Sequence, residues 1–367
     1  MKIYILTFVH AHNHGALLQC YALQKSIQEI VPSADVKVIN YWSEKERFLR
    51  KVSFSKFGIK SLLFNLSVFY KYPGFKKAFD RFEAFHLTRI EKTEHFTNYN
   101  DVCKFANDGD IYIVGSDQVW NFCFNENEKV DNYYMLDWVS SNNPLKYTYA
   151  VSLGVYRPIP EKAKDFFELA KKFDMISVRE NDVAEHIKSV SDVNCRVDID
   201  PVFLLNKDYW VGLFNSEREI KYEYVFVFEL VKCKDMQEKI DVIKRKYNLP
   251  VVLLTRCIDS KIKADKIIYD SGPEQFLSLI YYSSVVLTTS FHATAFSIIF
   301  SKDFYVLLSN HAPGRMKNLL SMIGLEDRII SSNDIKKEHI DYSVIQEKLK
   351  MTIDDSKNYL KSIVIDR

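Results

Sequence analysis

Residues 287–300 read LTTSFHATAFSIIF. The β-branched run SVVLTT (284–289) leads into them, and ATAFSIIF continues as an apolar helix. The stretch is therefore a buried strand handing over to a helix, the unit from which parallel α/β sheets are built. Ser290, His292 and Thr294 occupy the handover. Two hydroxyls thus flank one titratable imidazole at a helix N-terminus, whose backbone N–H groups suit an anion. A histidine ahead of an apolar helix is ordinarily an interior or loop residue, so both a packing role and a chemical role stay open here.

The same unit recurs along the chain. IYILTF (3–8), VKVIN (36–40), IYIVGS (111–116), YTYAVSLG (147–154) and MISVRE (175–180) read as strands of a first series. YVFVFEL (224–230), VVLLT (251–255), SVVLTT (284–289) and FYVLLS (304–309) form a second. Amphipathic segments such as GALLQCYALQKSIQEI (15–30) and DMQEKIDVIKRKY (235–247) lie between strands. In IDPVFLL (199–205) the proline interrupts the pattern before a fresh series begins. The expected division is an N-terminal α/β domain over 1–200, a C-terminal one over 201–340, and a helical segment over 341–367. A chain of 367 residues exceeds one ordinary core, which agrees with that division.

Composition narrows the function classes. A formal net charge of +2 argues against a nucleic-acid binder by bulk electrostatics. Six cysteines (Cys20, Cys103, Cys123, Cys195, Cys233, Cys257) form no C-x-x-C pair and read as reduced thiols. The opening MKIYILTFVHAHNHG reads as a first strand rather than a signal peptide. No stretch reaches the roughly 18 apolar residues of a membrane span, so a cytoplasmic location is expected. Residues 45–81 stand apart, with ten Lys or Arg against Glu46 and Asp80, and nine interleaved aromatics. They read either as surface helices with solvated cations or as a surface for anionic lipid or a lipid-linked diphosphate.

In open α/β sheets ligands bind beyond the carboxyl ends of strands. Those positions deliver His10, His12, Asn13, His14 and Gly15, then Ser116, Asp117, Gln118 and Trp120. Later strands deliver Ser152 and Gly154, Arg179 and Glu180, Arg256, and finally Ser290 and His292. His10, His12 and His14 alternate, so an extended backbone would aim all three one way, as a metal face or as polar lining. Asp117 reads as a helix cap or as a general base. Arg179 reads as a partner of Glu180 or Asp182, or as a grip for an anion.

Taken together, ILTF with NHGALLQCYALQ, IVGSDQVWN (113–121), YAVSLG, ISVREND (176–182), DPVFLL and TSFHATAFSIIF resemble the polysaccharide pyruvyltransferase family. The resemblance runs in order over about residues 1–330. It implies a GT-B-like α/β fold, two Rossmann-like domains with parallel sheets facing a central cleft, the N-terminal one on the acceptor side and the C-terminal one on the donor side. It also implies transfer of a pyruvyl group from phosphoenolpyruvate to two hydroxyls of a sugar, with a cyclic ketal formed and phosphate released. His292 matches the family's catalytic histidine, and Arg179 an arginine that contacts phosphoenolpyruvate. Some members carry Arg-x-His where this chain has Ser290-Phe291-His292, and Ala293 stands where a glycine is common. Arg256 or Arg315 is left to supply the missing guanidinium.

The chemistry needs an acid for C3 of the enol, which His292 would be, and a base for the sugar hydroxyl. Asp117 is the first choice for the base, with His12 and His14 as alternatives. Ser116, Ser152, Gly154, Ser290, Thr294, Asn13, Gly15, His14, Arg179 and Arg256 make up the expected substrate-binding set. Neither a metal nor a cofactor is required by this route, phosphoenolpyruvate being a co-substrate. The implied acceptor is a polyprenyl-diphosphate-linked oligosaccharide of capsule or exopolysaccharide synthesis, met at the membrane's inner face through residues 45–81. No nucleic acid is expected as a partner. The rival readings are a nucleotide-sugar glycosyltransferase and a non-catalytic carbohydrate-binding relative.

Overall fold

The computed structural model describes residues 1–42, 59–122, 130–140, 144–154, 165–190, 192–214, 218–257, 260–308, 313–331, 335 and 339–365. Two parallel sheets organise them. The first contains β1 (Lys2–Leu6), β2 (Asp35–Tyr41), β3 (Lys92–Phe96), β4 (Ile111–Asp117), β5 (Leu145–Val151), β6 (Ile176–Val178) and β7 (Cys195–Val197). Its strand order is β3-β2-β1-β4-β5-β6-β7. The second contains β8 (Val225–Phe228), β9 (Val251–Leu254), β10 (Lys266–Ile268), β11 (Val285–Thr288) and β12 (Asp303–Val306), ordered β10-β9-β8-β11-β12. Each order reverses direction once, between β1 and β4 and between β8 and β11. Those reversals open the crevices in which doubly wound sheets bind ligands.

The strands read as unbroken apolar runs because both faces are covered. Ile3, Ile5, Ile111 and Ile113 face one core cluster, while Tyr4, Leu6, Tyr112 and Val114 face another. In the second sheet Phe226 and Phe228 point into the same cluster as Ile3 and Ile5, and Val225 and Val227 point away from it. One continuous apolar core thus joins the inner faces of both sheets. Three strands escaped the sequence reading, namely β3, β7 and β10. Each lies at an edge, pairs on one side only, and carries a short or polar sequence, KTEHF, CRV and KII. Strand β5 stops at Val151, so Ser152 and Gly154 belong to the loop after it rather than to a strand over 147–154.

In chain order the helices are α1 (His14–Ile30), α2 (Ile59–Arg89), α3 (Tyr99–Lys104), α4 (Asp165–Ala170), α5 (Asn181–Val190) and α6 (Lys207–Val211). They continue as α7 (Met236–Tyr247), α8 (Pro273–Tyr281), α9 (Phe291–Ile299), α10 (Pro313–Ile323) and α11 (Tyr342–Val364). Two of them tie the sheets together. Helix α11 returns to the first sheet: the Tyr359 hydroxyl donates to Thr148 O at 2.9 Å, and Asp355 meets Arg196 at 2.6 Å. Helix α2 lies against the segment ahead of α8. Lys77 pairs with Asp270 at 2.9 Å, Arg81 donates to Asp270 O at 2.6 Å, and Arg89 pairs with Glu274 at 2.9 Å.

The first two of these contacts involve the C-terminal part of the basic segment 45–81. Lys77 and Arg81 are engaged with the protein itself, Lys76 pairs with Asp80, and Lys71 lies over the Tyr269 ring at 5.2 Å. Residues 45–58 and Cys123 lie outside the described residues. None of the described helices is long and apolar enough to cross a membrane.

Candidate active site

The carboxyl ends of β4 and β6, the turn after β7 and the start of α9 converge on one buried cluster of charge. Arg179, at the end of β6, places Nη2 2.7 Å from Asp200 Oδ2 and donates to the Ser116 hydroxyl at the end of β4. Asp200 caps a short 3-10 turn, Pro201–Phe203, through Oδ1, which accepts from Val202 N at 3.0 Å. Its other oxygen also faces His292 Nε2, at 3.4 Å. From α10, Arg315 Nη1 stands 3.6 Å from Asp117 Oδ1. The Gln118 amide, turned with its oxygen toward Arg315, accepts from Nη2 at 2.7 Å. Both guanidiniums lean on the Phe291 ring, Arg179 at 5.0 Å and Arg315 at 5.9 Å.

Electrostatics sets the charge states. Burial pushes the Asp200 carboxyl upward, but Arg179 and His292 outweigh it and hold the group down at about 2. Burial pushes Glu180 up to about 7, against the opposing pull of Arg315, Ser152 and Arg179. Arg315 is pushed below the ordinary arginine value by burial and then by Arg179, its like-charged neighbour. Arg179 Nε and Nη1 and Arg315 Nε are buried with no hydrogen-bond partner among the described residues. Buried donors are normally satisfied, so two crowded guanidiniums with open N–H groups are an arrangement an anion completes. A cavity of about 230 Å³ adjoins them, lined by Arg179, Asn181, Asp200, Phe291, Arg315 and Asn318 together with Leu319 and Met322. It is smaller than the roughly 300–1,000 Å³ pockets of drug-sized ligands and suits a small acid.

His292 does not line that cavity. Its ring is held between Asp200 and the first turn of α1, where a β-carbon on Gly15 would come within 2.0 Å of His292 Nδ1. Only glycine permits that approach. The ring therefore sits where the two halves of the chain meet, within the first turn of α9 rather than in the break before it.

The structure gathers Ser116, Asp117, Arg179, His292 and Gly15 from the expected set and gives several others different work. Thr294 is fully buried, its hydroxyl donating to Ser290 O at 3.1 Å, and Ser290 caps α9 by accepting from Ala293 N. Both serve the start of the helix. Asn13 likewise caps α1, its Oδ1 accepting from Gly15 N at 3.0 Å. Ser152 is fully buried and donates to Glu180 Oε1. Gly154, at φ 77°, closes the loop against Gln118 and Asn121, where a β-carbon would strike both side chains. Arg256 lies 5.0 Å over the Phe82 ring, so Arg315 rather than Arg256 is the second guanidinium beside Arg179.

The three alternating histidines diverge because β1 ends at Leu6 and His14 already belongs to α1. His10 Nε2 meets Asn40 Oδ1 at 2.8 Å, and the ring stacks on Trp42. His12 Nε2 meets Glu83 Oε1 at 2.9 Å. His14 is 1% exposed among Phe82, Phe228 and Phe276, and burial pushes it down to about 3, which removes it from the substrate-binding set. The common face that an extended backbone would give, whether as a metal face or as polar lining, does not form. Arg179 pairs with Asp200, not with Glu180 or Asp182. Asp200 itself was missed, because Asp-Pro reads locally as a chain crossing and nothing in it announces a distant guanidinium.

Comparison with known proteins agrees with the architecture. The whole chain overlays on a UDP-N-acetylglucosamine 2-epimerase from Listeria monocytogenes with a TM-score of 0.54 and 9% identity, covering 90% of that chain. It also overlays in full on the UDP-GlcNAc 2-epimerase of Neisseria meningitidis bound to UDP-GlcNAc, with a TM-score of 0.51 and 11% identity, covering 94% of that chain. These likenesses show the fold alone, which is GT-B-like. None of the curated proteins matches the sequence. The family model for polysaccharide pyruvyl transferase matches residues 13–311, a span that includes every residue of the cluster except Arg315. The chain belongs to the polysaccharide pyruvyl transferase family.

Proposed function

We propose that this protein transfers the pyruvyl group of phosphoenolpyruvate to two hydroxyls of a sugar in a polysaccharide repeat unit, giving a cyclic ketal and inorganic phosphate. The observation that carries the reading is the pair Arg179 and Arg315, buried side by side with open N–H groups, Arg179 sharing the Asp200 carboxylate with His292. A trianionic three-carbon acid supplies the acceptors that these open N–H groups lack. Arg315 takes the place of the guanidinium that Ser290 does not provide.

In this mechanism His292, steered by Asp200, delivers a proton to C3 and makes C2 electrophilic. A sugar hydroxyl adds to C2, the C2–O bond to phosphate breaks, and the second hydroxyl closes the ketal. Two hydroxyl protons are released; one balances the proton given to C3 and the other leaves with phosphate. Of the three candidate bases, Asp117 is engaged by Arg315 and His14 is sealed in aromatic rings, so we assign the base to His12, held by Glu83. The acceptor is a repeat unit on a polyprenyl diphosphate, met through the cations of residues 45–60 rather than through Lys77 or Arg81.

Mass spectrometry of candidate lipid-linked glycans incubated with phosphoenolpyruvate tests the proposal. The expected product carries one added carboxyethylidene group. A thermal-shift comparison supplies the second arm, since a ligand bound only by the native state raises its melting temperature. Stabilisation by UDP-GlcNAc but not by phosphoenolpyruvate would overturn the reading in favour of a nucleotide-sugar enzyme.

A further inference from the structure

The cluster holds three carboxylates but only two guanidiniums. Arg179 is paired with Asp200 and Arg315 with Asp117, which leaves Glu180 with no cation within ion-pair distance among the described residues. Glu180 is 2% exposed, and its Oε1 accepts from the Ser152 hydroxyl, which also accepts from Gly154 N at 3.0 Å. Oε2 has no partner at all among the described residues. In sequence Glu180 sits between Arg179 and Asn181, both of which line the cavity.

We infer that occupation of this site by a phosphorylated carboxylic acid is coupled to uptake of a proton by Glu180. The inference rests on the phosphoenolpyruvate reading above. The groups facing Glu180 are Arg315 from α10, Ser152 after β5, Arg179 from β6, and Asp182 in α5. Only the two arginines favour its ionised form by charge. An anion that engages both guanidiniums cancels the field that keeps Glu180 ionised and adds negative charge beside it. A buried carboxylate in that position takes a proton. Binding and protonation are linked, so each strengthens the other.

Titration calorimetry of phosphoenolpyruvate at pH 7, in buffers of different ionisation enthalpy, reads the proton count directly. The wild type is expected to take up about half a proton more per ligand than Glu180→Gln, because the free group lies near 7. Between pH 6 and pH 8 the wild-type Kd should weaken about tenfold more than that of the variant. Glu180→Leu, which also removes the titration, serves if the amide disturbs folding. Equal proton counts and parallel pH profiles in wild type and variant overturn the coupling. A wild type that binds no phosphoenolpyruvate overturns the donor assignment itself, which is a separate result.

Discussion

His292 has its partners fixed by three residues, only one of them its neighbour in sequence. Gly15 admits the ring, Asp200 faces its Nε2, and Phe291 beside it carries both guanidiniums. His292→Ala is expected to abolish phosphate release and also to lower the melting temperature, because the buried ring leaves a cavity and Asp200 loses a partner; a folded variant with a rate near wild type would remove it as the acid. Gly15→Ala puts a methyl group where only 2.0 Å separates it from the ring, so the ring or the helix must shift. Misplacement of about 1 Å costs on the order of 10²-fold in rate, and turnover assays beside thermal melts should show that loss against a modest change in stability. Glu180 has a second, purely thermodynamic signature. Its folded value, about 7, lies above its ordinary 4.5, so the native state binds the proton more tightly than the unfolded chain. The native-state advantage is complete below about pH 4.5 and is lost as pH rises through 7. Relative to Glu180→Gln, the wild type should therefore lose on the order of 3 kcal/mol between pH 4.5 and pH 8, as read by urea melts. A flat difference would show that the carboxyl is ordinary.

At the scale of elements, α2 acts as a strap between the two sheets. Its cations Lys77, Arg81 and Arg89 meet Asp270 and Glu274, and Phe75 packs edge-on to Tyr269 at 5.5 Å. Exposed pairs of this kind contribute about 0–1 kcal/mol each. Arg89→Ala alone should barely move the melting temperature, whereas replacing all three cations should raise hydrogen exchange at the start of α8. Vesicle flotation separates the strap from any membrane role. Lys77→Ala with Arg81→Ala should leave binding to anionic vesicles unchanged, and neutralising Lys45, Arg47, Arg50, Lys51, Lys56 and Lys60 together should weaken it. Unchanged binding after the second set would remove the lipid role from this segment. The central strands were legible because burial on both faces demands unbroken apolar runs. The edge strands β3, β7 and β10 were not, since one partner and one open side tolerate polar residues and short runs.

The whole molecule is two sheets on one core. Ile3 and Ile5 of the first sheet and Phe226 and Phe228 of the second belong to a single apolar cluster, which α11 completes with Leu360, Ile363 and Val364. An interface of that character does not separate before its halves unfold, so calorimetry should record one cooperative transition; two resolved transitions would show that the halves are independent. Phosphoenolpyruvate at a hundred times its Kd should raise stability by about 2.7 kcal/mol. By itself the sequence determined the two strand–helix series, the strand ends at which polar residues collect, and the candidacy of His292 and Arg179. These follow from apolar periodicity and local motif, which are properties of neighbouring residues. Tertiary structure alone decided that Asp200 joins Arg179 to His292, that Arg315 is the second guanidinium, that Gly15 seats the imidazole, and that His14 is sealed away. The reason is physical: strand order and helix packing bring together side chains far apart in the chain, and periodicity says which way a side chain points but not what it meets.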